Sequence, residues 1–212
     1  MMNPAIQPPG RNRSAAAALK AIDVEAAAIE GVRATAIEDL PPALEILDAC
    51  RGKIIISGIG KSGHIGRKMA ATFASVGRPS LFVHATEALH GDSGVVGPGD
   101  VVILISNSGR TSEVCSFALM LQEWGIPRIA FTQNPDSPLG SLCDATVRLT
   151  VESEADPLNL APTSSTTVTL VLGDALAAGL MEAAQFTADD FGARHPGGSL
   201  GARVGNHGKE GA

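Results

Sequence analysis

Two short segments of this chain carry residue types that can do chemistry, Ser57-Gly58-Ile59-Gly60-Lys61-Ser62-Gly63-His64 and Ser106-Asn107-Ser108-Gly109-Arg110-Thr111. Each directly follows a β-branched apolar run, Ile54-Ile55-Ile56 and Val101-Val102-Ile103-Leu104-Ile105, and each precedes a helix-like stretch. Where strands end and helices begin in an open α/β sheet, unspent backbone N–H groups and the helix dipole favour an anion. Two such loops, both rich in hydroxyls, point to a phosphate held by Ser and Thr side chains as well as by backbone. Gly58-Ile59-Gly60-Lys61-Ser62-Gly63 also matches the G-x-G-x-x-G dinucleotide pattern, a weak signal that leaves the second loop unexplained. A Walker loop fails, because its first glycine would fall on Ile55. The plain structural alternatives are a glycine turn for close strand–helix packing and a Ser/Asn helix cap. In the second loop Ser106, Ser108 and Thr111 surround Gly109, whose missing side chain would let backbone approach a ligand.

The elements that must position these loops alternate. Strands are expected at 53–57, 80–83, 101–105, 128–131 and 145–149, with helices at 63–76, 86–89, 111–123 and 137–142. Near-continuous apolar strands bounded by helices are the pattern of a parallel sheet covered on both faces, so a doubly wound α/β sandwich is expected. Ahead of it lie two expected helices, one over 14–34 capped by Ser14 and one over 35–50. Thr35 and Glu38 have capping-box spacing for the second, and Pro41-Pro42 could restart or interrupt it. After a loop at 150–162, Thr163 to Ala184 reads as a largely buried apolar helix. Asp174 on it reads as a hydrogen-bonded core acid. Residues 1–13 read as a disordered leader, 14–204 as one domain without repeats, and 205–212 as a flexible tail.

Composition bounds the partners. A chain of 212 residues with 44% hydrophobic content can bury a substantial core. A net charge of −6 and 3% aromatic content with no Tyr argue against a nucleic-acid or membrane surface. Cys50, Cys115 and Cys143 form no C-x-x-C and read as reduced thiols of a cytoplasmic protein. No targeting segment and no uninterrupted apolar window of membrane-spanning length is evident.

The S-x-S-G-x-T pattern at 106–111 resembles the phosphosugar loop of the SIS (sugar isomerase) domain. Four motifs in order narrow the likeness: Gly58-Ile59-Gly60-Lys61-Ser62-Gly63-His64-Ile65-Gly66, His90-Gly91-Asp92, Leu160-Ala161-Pro162-Thr163-Ser164-Ser165-Thr166-Thr167 and His195-Pro196-Gly197-Gly198-Ser199-Leu200-Gly201. Together they resemble the D-arabinose-5-phosphate isomerase family over residues 14–203. The resemblance implies a flavodoxin-like three-layer SIS fold that interconverts D-ribulose 5-phosphate and D-arabinose 5-phosphate in the cytoplasm. It implies a homotetramer that feeds synthesis of 3-deoxy-D-manno-octulosonate for surface polysaccharide. Ser62, Ser106, Asn107, Ser108 and Thr111 would surround the phosphate, with Gly60, His90, Thr163 and Ser164 beside the sugar. Family members run on into two CBS modules. The residues after Gly201 are too few for one, so regulation through them is expected to be absent. The family often has Glu where Arg110 stands here, a position physically congenial to phosphate.

Aldose–ketose isomerisation through an enediol needs a base at carbon and donors at the oxygens. The resemblance assigns these roles to Lys61, Glu113, Glu154 and His195. Lys61 would neutralise phosphate or polarise a sugar oxygen; by itself it reads as a solvated lysine. Glu113 reads equally as a helix-dipole carboxylate. Among Glu152, Glu154 and Asp156, any of which could be a solvated loop acid, alignment on Pro157-Leu158 selects Glu154 as the proton-transferring base. His195, set by Pro196 and two glycines, would enter a neighbouring subunit's site and assist ring opening. No cofactor or metal is called for, and inhibitory zinc at His90 and His195 is more plausible than zinc dependence. A related isomerase acting on another sugar phosphate is one alternative. A non-catalytic phosphosugar sensor is the other, although the first 50 residues show no defensible helix-turn-helix.

Overall fold

The computed structural model describes residues 11–196. In chain order the elements are α1 (Arg11–Asp48), β1 (Ile54–Gly58), α2 (Gly60–Ser75), β2 (Ser80–His84), α3 (Ala85–Ala88), a 3-10 turn (Asp92–Val95), β3 (Val101–Ile105), α4 (Ser112–Glu123), β4 (Arg128–Thr132), α5 (Pro138–Leu142), β5 (Ala145–Arg148), α6 (Ser164–Ala183) and α7 (Ala188–Arg194). The strands form one parallel sheet in the order β2-β1-β3-β4-β5. The order reverses between β1 and β3, which is where an open α/β sheet binds ligands.

The apolar strand runs divide by alternate residues. Ile54, Ile56, Val101, Ile103, Ile105, Ile129 and Phe131 face α1, α2 and α6, against Leu47, Met69, Phe73, Leu172 and Leu176. Ile55, Val102, Leu104 and Ala130 face the opposite layer, against Val114, Phe117, Leu121 and Leu139. Two buried faces explain why the strands read as continuous apolar runs. The expected three-layer, doubly wound sheet is the observed one, with strand bounds within a residue or so of those read from sequence.

The lead-in differs. One helix of 38 residues runs from Arg11 to Asp48, through Pro41 and Pro42. It starts upstream of Ser14, which therefore caps nothing. Thr35 Oγ1 donates back to the Val32 carbonyl at 3.1 Å, a mid-helix bond, so there is no second cap. Tertiary anchoring overrides the proline signal. Just before the prolines, Asp39 is buried and accepts from the Arg148 backbone N–H and Nε at 2.9 Å, while Arg148 Nη2 reaches Glu38 at 2.7 Å. Just after them, Ala43 and Leu47 are wholly buried.

Helix α6 corrects two expectations. Asp174 is an exposed residue paired with Lys68, so it is no core acid. Ser164–Ala183 also reaches membrane-spanning length and apolarity, with a mean hydropathy of 1.3, and half of that window is buried inside the fold. The helix is apolar because α1 and α2 cover it. The three cysteines are free, and burial pushes the Cys143 thiol up to about 12. Structure is added at α7, where Thr187 and Asp190 form a reciprocal capping box.

Candidate active site

The C-terminal ends of the three strands at the switch point lie in register, Gly58 beside both His84 and Ile105. The two hydroxyl loops leave this row together. In the first, Gly60 takes φ +59 at the start of α2, a conformation that favours glycine. Gly63 and Gly66 serve packing instead: a Cβ at Gly66 would meet Ile56 and Phe82 at 3.0 Å. Lys61 is exposed and makes no ion pair among the described residues, and Ser62 is half-buried behind it.

In the second loop, Ser106 is buried and its Oγ lies 2.8 Å from Thr111 Oγ1, so the hydroxyls at the two ends of the motif converge. Gly109 has φ +63, and a Cβ there would sit 2.0 Å from Ser137 Oγ and 2.7 Å from Thr132 Oγ1. The space expected for a ligand is therefore filled by α5's cap and the end of β4; glycine is required by protein packing. Asn107 Oδ1 is buried with no partner, while its carbonyl accepts from Gln133 N–H at 2.9 Å. Ser108 is exposed and its Oγ accepts from the Arg110 N–H at 3.2 Å, with the Arg110 side chain in solvent. Glu113 follows in the first turn of α4. Its own backbone N–H, the Ser112 hydroxyl at 2.8 Å and the charge of His84 hold its carboxyl below the ordinary glutamate value.

Glu154 is the most constrained acid of the site. Its Oε2 accepts from Thr163 N–H at 2.7 Å, Thr163 Oγ1 at 3.1 Å and Ser165 N–H at 3.1 Å, and Oε1 accepts from Ser165 Oγ. Burial works to raise this carboxyl, but the bonds from Ser165 and Thr163 outweigh it and hold it below the ordinary value. The surrounding loop is tied down as well. Asn159, at φ 55, accepts the Glu154 N–H at 2.7 Å. Asp156 accepts from the Leu158, Leu160 and Ala161 N–H groups at 2.8–2.9 Å. Of the three acids left open by the sequence, Asp156 thus builds the loop, Glu152 is exposed, and Glu154 sits at the positive end of α6.

Residues 47–179 match the SIS domain family. The chain belongs to that family. Curated relatives include the arabinose 5-phosphate isomerase KdsD of Pseudomonas aeruginosa, 50% identical over 88% of this chain and 57% of the relative. KdsD of Escherichia coli K12 is 56% identical over 73% of this chain and 47% of its own length. The chain thus spans about half the length of these relatives. Among solved structures, an Escherichia coli CFT073 protein in complex with A5P is 45% identical, with a TM-score of 0.85, covering 89% of this chain and all of the other.

Within this SIS domain the remaining candidates fall in different places. Thr163 is the N-cap residue of α6, and its hydroxyl accepts from Ala155 N–H at 2.7 Å. Ser164 is wholly buried, its Oγ without a partner. His90 is exposed just after α3. His195 lies at the other end of the molecule. It follows α7, stacks on Phe191 at 3.9 Å and sets Nδ1 2.8 Å from the Phe191 carbonyl. Neighbouring Arg194 packs near Gly77, ahead of the start of β2. α6 runs from Glu154 to that opposite end, about 30 Å for its 20 residues. One chain therefore brings Lys61, Glu113 and the hydroxyl loops to one sheet edge but leaves His195, and any joint His90–His195 zinc contact, apart. The glycine run after Pro196 lies outside the described residues, as do the expected tail and residues 1–10 of the leader. Among the described residues no group of three or more His, Cys, Asp or Glu is placed to hold a metal.

Sequence reasoning passed over Ser165, Asn159, His84 and Arg67. Ser165 stands in the quoted hydroxyl run, and only helix phase tells which of its members faces Glu154. His84 and Arg67 line a 270 Å³ cleft with Gly60, Gly63, His64 and Phe82, and the Arg67 guanidinium lies 4.3 Å from the Phe82 ring centroid. Nothing in their spacing announces that cleft.

Proposed function

We propose that the protein interconverts D-ribulose 5-phosphate and D-arabinose 5-phosphate through an enediol, in the cytoplasm. The observation that carries this reading is the likeness, at 45% identity, to the whole of a protein solved with A5P. The curated KdsD relatives support it. In this reading the substrate phosphate takes hydrogen bonds from Ser62, Ser106, Ser108 and Thr111, with Asn107 turned toward it and Lys61 balancing its charge. Glu154 removes the proton from the carbon next to the carbonyl. The C–H electron pair becomes the C=C bond of the enediol, and the carbonyl pair moves to oxygen, where Lys61 supplies the proton. Return of the proton to the neighbouring carbon, while the hydroxyl on the first carbon gives its proton back to Lys61 and becomes the new carbonyl, completes the isomerisation, so no electron acceptor or cofactor is consumed.

His195 enters from a second copy, because its own chain holds it at the far end of α6. Apolar side chains exposed around the site and on α1 support an oligomer, a tetramer in this proposal: Leu158 and Leu160 are 75% and 76% exposed, and Ile37 is 74% exposed. The product would feed synthesis of an eight-carbon acidic sugar for surface polysaccharide. The test is incubation of purified protein with D-ribulose 5-phosphate and chromatographic detection of D-arabinose 5-phosphate. Equilibration of the two is expected. A folded oligomer that forms none, while converting another phosphosugar in a substrate panel, would reassign the substrate.

A further inference from the structure

We infer that Ser165 is a positioning residue for Glu154, fixing which carboxylate oxygen receives the proton; this rests on the isomerase reading above. A carboxylate offers about four lone-pair directions. Oε2 spends its capacity on three donors, Thr163 N–H, Thr163 Oγ1 and Ser165 N–H. Oε1 takes only the Ser165 hydroxyl, which leaves it one direction open. The proton therefore moves through Oε1, on the oxygen that Ser165 holds.

Three further features make that hold specific. Ser165 is 3% exposed, so water cannot replace a lost hydroxyl. Its carbonyl accepts from Thr169 Oγ1 at 2.7 Å, which ties the residue to the next helical turn. The N-cap residue of α6, Thr163, makes no side-chain capping bond of its own, so the Glu154 carboxylate supplies the cap from outside the helix. Ser165 thus turns a helix-capping carboxylate into an aimed base. A hydroxyl donor to the ionised form lowers basicity but fixes direction, and direction is what a proton transfer between adjacent carbons needs.

The substitution Ser165→Ala removes the donor to Oε1 and keeps the backbone N–H. The expected result is a fall in kcat of about tenfold, as for the loss of one hydrogen bond to a charged group. KM for ribulose 5-phosphate stays within about twofold, since the phosphate is held on other loops. The acid limb of the kcat–pH profile moves to higher pH. Ser165→Thr restores most of the rate. A 13C titration of labelled glutamate side chains reads the same hold without turnover, with the Glu154 resonance assigned by its loss in Glu154→Gln. In the wild type it titrates below the ordinary glutamate range, and in Ser165→Ala its midpoint rises. If Ser165→Ala does not fold, Ser165→Cys, with a weaker donor of similar shape, gives an intermediate rise. An unmoved Glu154 midpoint overturns the inference. So does a rate loss that tracks thermal stability while the pH profile stays in place. Wild-type protein that does not isomerise ribulose 5-phosphate would overturn the proposed function instead, and the titration would still decide the role of Ser165.

Discussion

The hydrogen that matters most at Gly109 is the one in place of a side chain. Its φ of +63 and the Ser137 oxygen 2.0 Å from any Cβ impose two separate penalties on substitution. Gly109→Ala is expected to destabilise the fold by about 2–4 kcal/mol, from left-handed strain plus a contact with the capping serine of α5. It should also pull the Ser106–Thr111 pair out of line, so phosphosugar affinity falls together with the melting temperature. Differential scanning fluorimetry with and without ribulose 5-phosphate would check both. A variant with wild-type melting and wild-type ligand shift would show that the loop has more slack than the packing around Gly109 allows. The residue types of the candidate site were legible in sequence at this scale, because the hydroxyls and Lys61 sit in contiguous motifs, with Glu113 just beyond the second. Which hydroxyl serves which partner was not: Ser106 pairs with Thr111 and Ser165 with Glu154 through contacts that no linear spacing encodes.

At the scale of elements, the strands were legible because two buried faces force unbroken apolar runs. The single α1 was not, because its continuity through Pro41-Pro42 depends on Arg148, 109 residues away from Asp39. α7 was missed because its seven residues bury no side chain and so leave no apolar period to read. A second long-range anchor joins β1 to β3 at their N-terminal ends. Asp100 is 1% exposed and accepts from Lys53 N–H at 2.7 Å, Lys53 Nζ at 3.1 Å and Gly97 N–H at 2.9 Å. Burial acts to raise its carboxyl, and the bonds from Lys53 and Gly97 bring it below the ordinary aspartate value. A depressed carboxyl stabilises the fold above its unfolded pKa and loses that contribution as pH falls through the folded one. Asp100→Asn is therefore expected to cost about 1–3 kcal/mol at neutral pH. The gap from wild type should narrow in acid, below the ordinary aspartate range. Urea unfolding at pH 7 and pH 3 would measure it, and a gap that widens in acid would assign the acid sensitivity elsewhere.

For the molecule as a whole, the separation of Glu154 from His195 makes one chain an incomplete site in the proposed mechanism. Glu154→Gln and His195→Ala oligomers should each be nearly inactive. Subunits exchanged between them at equal ratio should regain about a quarter of the sites, since each complete site draws one intact residue from each parent. Exchange followed by mass spectrometry with no return of activity would place both residues in one chain's site or remove one from the reaction.

The reach of Arg148 back to Asp39 also sets a timetable for synthesis. α1 leaves the ribosome long before β5 or α6 exists, and its inward face of Val32, Ala43 and Leu47 lacks these two main neighbours until they are translated. Early hydrophobic surface of this kind invites chaperones and proteases. Nascent chains arrested with residue 140 just outside the exit tunnel should be cut within α1 by a brief protease pulse. Chains arrested with residue 185 outside should resist it, because the helix has then received both of its late-made neighbours. Equal resistance at the two lengths would mean that α1 finds cover before its permanent partners are made.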